Sequence, residues 1–88
     1  MIITKKEYNG FIKPLVDKCV SVGKSLNEPE FLIAGTKLLK IVENEFNPTS
    51  LLETLNSLSS LSIEICKKYE LYPLIENAIN FLNLKKSS

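Results

Sequence analysis

Asn47-Pro48-Thr49-Ser50-Leu51-Leu52-Glu53-Thr54-Leu55 is the stretch that decides the fold. Every part of a helix start is present. The Asn47 side chain is placed to accept from exposed first-turn amides, and Pro48 sits where no amide is lost. An apolar series follows at once: Leu51, Leu55, Leu58, Leu61 or Ser62, Ile65 and Tyr69. Steps of three and four mark one face of a helix. The serines between Ser57 and Ser62 lower helix propensity a little, but the leucine spacing runs through them. The expectation is one helix over 48–70, with Leu55, Leu58 and Ile65 in the core.

The same signals recur on either side. Thr4-Lys5-Lys6-Glu7 fits a capping box, in which the Thr hydroxyl and the Glu carboxylate each satisfy an exposed amide. Tyr8, Phe11, Leu15, Cys19, Val22 and Leu26 then mark a helix over 5–25. Gly10 and Pro14 interrupt it, so a kink or break is expected between residues 9 and 14. Asn27-Glu28-Pro29-Glu30 opens a helix over 29–45, whose acids suit the positive dipole end. Its inner face is Leu32, Gly35, Leu38 or Leu39, Val42 and Phe46, with Gly35 admitting close helix approach. Tyr72-Pro73 opens the last helix, over 73–85, with Leu74 or Ile75, Ala78, Ile79 and Leu82 facing inward. No strand-like alternation of useful length, internal repeat or long linker is present. Joints of two to five residues set neighbouring helices antiparallel. The fold class that follows is all-α: an antiparallel up-down four-helix bundle in one domain, residues 1–88.

Composition narrows the function. At 88 residues the chain is one domain, and a domain of this size buries only about 60–65% of its unfolded surface. Its net charge of +1 gives no field to steer nucleic acid or acidic substrates. All eleven basic residues are Lys. Without Arg the chain lacks the fork that reads phosphates and base edges in pairs, so no nucleic-acid partner is expected. His is absent too, which removes the commonest general base and metal ligand. The carboxylate pairs Glu28/Glu30 and Glu43/Glu45 are two residues apart and splay instead of converging. An enzyme, a metal site or a cofactor is therefore not expected. Cys19 and Cys66 stand alone, without metal-ligand or disulfide-framework spacing, and read as reduced core residues of a cytoplasmic protein. The N-terminus carries too short an apolar run for a signal peptide, and no stretch approaches the roughly 20 apolar residues of a membrane span.

One cluster stands out. Lys67-Lys68 runs into Tyr69 and Tyr72, and Lys85 and Lys86 join that end of the molecule if the last two helices form a hairpin. Two readings are open. One is a partner-binding corner that meets an anion, a lipid headgroup or another protein. The other is a capped helix end with wet hydroxyls and lysines. The Leu-rich third helix is likewise either core or partner surface.

The stretch at Asn47 also carries a resemblance. Leu15-Val16-Asp17-Lys18-Cys19-Val20-Ser21, the run from Glu30-Phe31-Leu32 to Val42-Glu43, the Asn47–Leu55 start and the final Leu74-Ile75-Glu76-Asn77-Ala78-Ile79-Asn80-Phe81-Leu82 together resemble the immunity proteins of pediocin-like bacteriocins, the enterocin A immunity group. The likeness spans roughly three quarters of the chain and lies in helix order and spacing. A looser one, to the N-terminal helical domains of transcription elongation factors, lacks their basic residues and closing helices. The immunity resemblance implies a left-turning antiparallel four-helix bundle, monomeric and without enzymatic activity. Such proteins protect the producer cell from its own pore-forming peptide. They act from the cytoplasm at the mannose phosphotransferase permease with bound bacteriocin, which allows peripheral membrane contact. Many members carry a tail beyond the last helix, whereas this sequence ends at Ser88. Recognition is then expected on the third and fourth helices and the Tyr69–Pro73 joint, at Lys67, Lys68, Tyr69, Tyr72, Lys85 and Lys86. The alternative is a small helical adaptor or regulator that binds another protein.

Overall fold

The computed structural model describes residues 3–44 and 47–87. Among them are five helices and no strand. Helix α1 covers 5–25 and is built from an α-turn, Lys5–Glu7, a π-helical turn, Tyr8–Ile12, and an α-helix, Lys13–Ser25. The others are α2, Pro29–Asn44; α3, Pro48–Ser59; α4, Ile63–Lys68; and α5, Leu71–Ser87. Phe46, expected on an inner face, and Glu45 lie outside the described residues.

The helix starts form as their residues dictate. The Thr4 amide donates to Glu7 Oε1 at 3.0 Å and the Glu7 amide to Thr4 Oγ1 at 3.1 Å, the reciprocal pair of a capping box. The Ser50 amide donates to Asn47 Oδ1 at 3.2 Å, with Pro48 in the first turn. α1 ends in a Schellman motif. Asn27 turns left-handed at φ 54°, the Glu28 amide reaches Gly23 O at 2.9 Å, and the Asn27 amide reaches Lys24 O at 3.4 Å.

Pro14 does not break α1. The interruption expected at 9–14 takes the form of the π-turn, in which the Lys13 amide donates to Tyr8 O, five residues back. A wider turn takes up the backbone that Pro14 cannot bond. It also rotates what precedes it. Ile12 is buried and Phe11, expected in the core, is 43% exposed.

The single helix expected over 48–70 is two. It stops at Ser59, turns through Ser60 and Leu61, and restarts at Ile63 under a new cap, where the Ile65 amide donates to Ser62 Oγ at 3.3 Å. The serines prevail over the leucine spacing here. Ser59 and Ser60 hydroxyls both donate to Asn56 O, at 2.8 and 3.2 Å, and Ser62 offers a ready cap. The break resets the phase. Leu51, Leu55 and Leu58 are buried as expected, but Ile65 is half-buried and Cys66 takes the core position. The last helix opens two residues early, at Leu71, because Glu70 turns left-handed at φ 57° and leads directly into it.

α1 and α2 pack tightly and in opposite directions. A Cβ on Gly23 would lie 2.7 Å from the Leu32 amide nitrogen, and one on Gly35 would lie 3.1 Å from Val20 Cγ2 and 3.3 Å from Cys19 Cβ. The close approach read for Gly35 is therefore present, and Gly23 supplies a tighter one. α5 runs antiparallel to α1: Glu7 pairs with Lys85 at 2.9 Å and Phe11 stacks on Phe81 with centroids 4.6 Å apart. Its other end meets α3, where the Tyr72 hydroxyl donates to Ser59 O at 3.5 Å. α2 also packs on α3, and α4 on α5. Their inner faces share one core, which includes Ile12, Leu15, Phe31, Leu38, Leu55 and Leu82.

Cys19 and Cys66 are free thiols in that core. Burial pushes the Cys19 thiol up to about 12, with the neighbouring Cys66 adding to the shift. Burial raises Cys66 as well. Both therefore stay protonated at neutral pH and inert.

Three outcomes follow from this packing. Leu55→Ala should cost about 2–5 kcal/mol in urea unfolding; a loss below about 1 kcal/mol would put the leucine stripe outside the core. Gly23→Ala should destabilise by about 1–3 kcal/mol, because backbone stands in the way, while Gly10→Ala, with nothing within 4 Å of its Cβ, should be neutral or stabilise by up to about 1 kcal/mol. In neutral buffer a thiol–disulfide reagent should label neither cysteine of the folded chain and both in denaturant; rapid labelling of the native chain would place a thiol at the surface.

Candidate functional site

The expected partner-binding residues fall into two groups. Lys67 and Lys68 end α4, Tyr69 caps it, and Tyr72 stands in the first turn of α5, so these four share one corner. Lys67 and Lys68 are exposed; Tyr69 and Tyr72 are half-buried. The Tyr72 hydroxyl is tied to Ser59 O, which fixes its ring between α3 and α5. Lys68 Nζ lies 5.7 Å from the Tyr69 ring centroid, a cation–π distance. Cys66 Sγ, 3.9 Å from Leu58 O, anchors α4 beneath them.

Lys85 and Lys86 are elsewhere. α4 and α5 do pack as neighbours, but α4 meets the start of α5, while the two lysines sit at its end. From Leu71 to Lys85 the helix rises about 21 Å. The four lysines therefore do not gather at one end of the molecule. Lys85 is held against the start of α1 by Glu7 and lies 5.9 Å from the Phe81 centroid. The Glu7 carboxyl sits below its usual range, chiefly because it accepts the Thr4 amide and then because of Lys85.

The Lys67–Tyr72 corner is not a purely cationic patch. Beside it lies a cavity of about 350 Å³ between the α1–α2 joint and α4, where Glu28 and Glu64 face Lys68, Tyr69 and Ile65. Two carboxylates against one ammonium suit a polypeptide with charges of both signs better than a phosphate. Sequence reading placed Lys68 and Tyr69 here through their neighbours in the chain. It missed Glu28 and Glu64, which only tertiary packing brings in.

A second concave region was also missed. Between α2 and α3 runs a shallow groove with Ile33, Lys37 and Ile41 on one lip and Ser50, Thr54 and Ser57 on the other. Ile33 is 64% exposed. The signal was available: Ile33, Lys37 and Ile41 recur in steps of four, off the Phe31–Ala34–Leu38 face that α2 buries. The Leu-rich face of α3 is core, and the side it leaves exposed carries Glu53, Asn56 and Ser57.

Among the described residues, no three His, Cys, Asp or Glu side chains gather as metal ligands would. No helix among them is long and apolar enough to cross a membrane. Set against known protein families, curated proteins and solved structures, the chain matches none.

Proposed function

We propose that this chain is a non-enzymatic helical binding protein of the cytoplasm that protects its cell against a pediocin-like bacteriocin. In this reading it acts as a monomer on the mannose phosphotransferase permease with the peptide bound. The observation that carries the proposal is the resemblance in helix order to the enterocin A immunity group, clearest at the Asn47 start. That start is a formed cap leading into the buried Leu51–Leu55–Leu58 stripe. The up-down bundle belongs to the same proposal: α1, α2, α3 and α5 are its four corners, and α4 is a short element in the last joint. What supports it is that α1 packs on α2, α2 on α3, α3 on α5 and α5 on α1. The recognition surface is the Lys67, Lys68, Tyr69 and Tyr72 corner, where a pinned aromatic body sits beside mobile charge.

A second reading, an adaptor for another protein partner, is favoured by the groove between α2 and α3 and its exposed Ile33. Helical grooves with an apolar wall take amphipathic helices.

Producing the chain in a sensitive strain separates the two. Under the immunity reading it protects against one pediocin-like peptide of a panel and few others. Lys67→Gln with Lys68→Gln weakens that protection without lowering the melting temperature, since exposed charges contribute little to stability. Absence of protection against every peptide, with no permease captured from membranes, rejects the immunity reading in favour of the adaptor.

A further inference from the structure

The wide end of the groove between α2 and α3 is complementary to itself. Glu30, Ile33, Ala34 and Lys37 of α2 all line one concavity of about 230 Å³ there. Glu30, Ala34 and Lys37 fall within about 60° of one another on a regular helix. The apolar floor is Ala34 with Leu58 of α3 and Leu61 of the turn that follows it. Ile33 is the outer crest, shared with the neighbouring face of α2 that carries Thr36 and Lys40. At 64% exposure it is an apolar knob beside an apolar hollow.

Charge brackets the knob along the helix. Glu30 lies one turn before Ile33 and Lys37 one turn after it, and both are exposed. They stand about 10 Å apart along α2, too far to meet each other. Among the described residues neither has an ion-pair partner. The order acid, knob, base, with a hollow alongside, matches a second copy of itself turned end to end.

We propose that this face binds a second copy of the chain, in a twofold dimer built on α2. An axis perpendicular to α2, passing between Ile33 and Ala34, runs the two helices antiparallel and makes the contact the same from both sides. It sets Glu30 opposite the partner's Lys37, and Lys37 opposite the partner's Glu30. It also swings each Ile33 from the outer crest of its own groove over Ala34, Leu58 and Leu61 of the facing copy. A parallel pairing would put Glu30 on Glu30 and Lys37 on Lys37, so charge selects the antiparallel one. Lys40 and Glu53 line the trough beyond Lys37 with opposite signs and do not change that selection. An amphipathic helix from elsewhere has no reason to carry this order of charge and apolar bulk, whereas the chain itself does. The proposal rests on neither reading of function. The dimer closes the groove that a helix would enter under the adaptor reading, and dilution returns the monomer that the immunity reading employs.

The test is sedimentation equilibrium of the full chain at concentrations up to about 1 mM. A contact centred on one side chain per copy belongs at or below the small end of specific interfaces, which bury about 1,200–2,000 Å², so association is expected in the upper micromolar range. The weight-average mass should rise with concentration from that of one chain toward that of two. Ile33→Ser should weaken association at least about tenfold. Glu30→Lys alone and Lys37→Glu alone should each weaken it about fivefold or more, because like charges then face each other twice. Mixed in equal amounts, those two single variants should regain the parent's association, since each copy then meets its opposite. The double variant Glu30→Lys with Lys37→Glu should regain it without mixing. Far-UV circular dichroism of every variant should match the parent, because each altered side chain is exposed. The proposal is overturned if the parent stays monomeric throughout, if Ile33→Ser associates as the parent does, or if neither the mixture nor the double variant regains what the single variants lose. Capture of an amphipathic helical peptide by a chain that stays monomeric would give the groove to another protein and likewise overturn it.

Discussion

Backbone contact between α1 and α2 is the constraint on which the remaining packing depends. Gly23 brings one backbone against the other at Leu32, and at Gly35 the side chains of Val20 and Cys19 close on bare backbone. Gly23 has a second task, since its carbonyl accepts the Glu28 amide that closes the end of α1. The residue that ends the turn is thus also the residue that lets the returning helix lie close. With the pair fixed in this way, Ile12, Leu15 and Cys19 from one helix and Phe31 and Leu38 from the other present a single apolar wall. Against that wall α3 and α5 bury Leu51, Leu55, Ile75, Ala78 and Leu82.

What was legible in the chain was local chemistry. The Thr4 box and the Asn47 cap each involve partners three residues apart, and both form where their residues stand. The all-helical class follows from the same scale of information. Phase was harder, because it accumulates along a helix. A regular helix advances about 100° per residue, so one extra residue in a turn sends each preceding side chain to a different face. The π-turn before Pro14 does this to Phe11 and Ile12. The break at Ser60 and Leu61 does it to Ile65 and Cys66. Both misreadings come from carrying a regular spacing through a defect whose cause, Pro14 in one case and a serine cluster in the other, was itself visible.

The site divided along the same line. Lys67, Lys68, Tyr69 and Tyr72 share a corner because they are near in sequence across one tight turn. Lys85 and Lys86 were assigned to that corner by hairpin logic, and the length of α5 separates them from it. Glu28 and Glu64 reach the corner from different parts of the chain, and no spacing rule links them. The charge of a corner is a tertiary property even when its most prominent residues are consecutive. Glu70 adds a local cost of about 1–2 kcal/mol by holding a left-handed backbone at φ 57°, and the sharp turn into α5 that seats Tyr72 depends on it.

The Glu7–Lys85 pair has a topological meaning beyond its charge. By holding the opening of α1 beside the close of α5, it makes the path of the chain nearly a ring. A permuted gene that joins residues 87 and 3 through a short flexible linker, and opens the chain at the Ser60–Leu61 turn, would retain every helix pair while moving the new ends to the opposite face. Any partner sequence fused before α1 or after α5 would emerge over the same edge and shade Phe11. A fusion placed at the Ser60–Leu61 turn would leave that edge open.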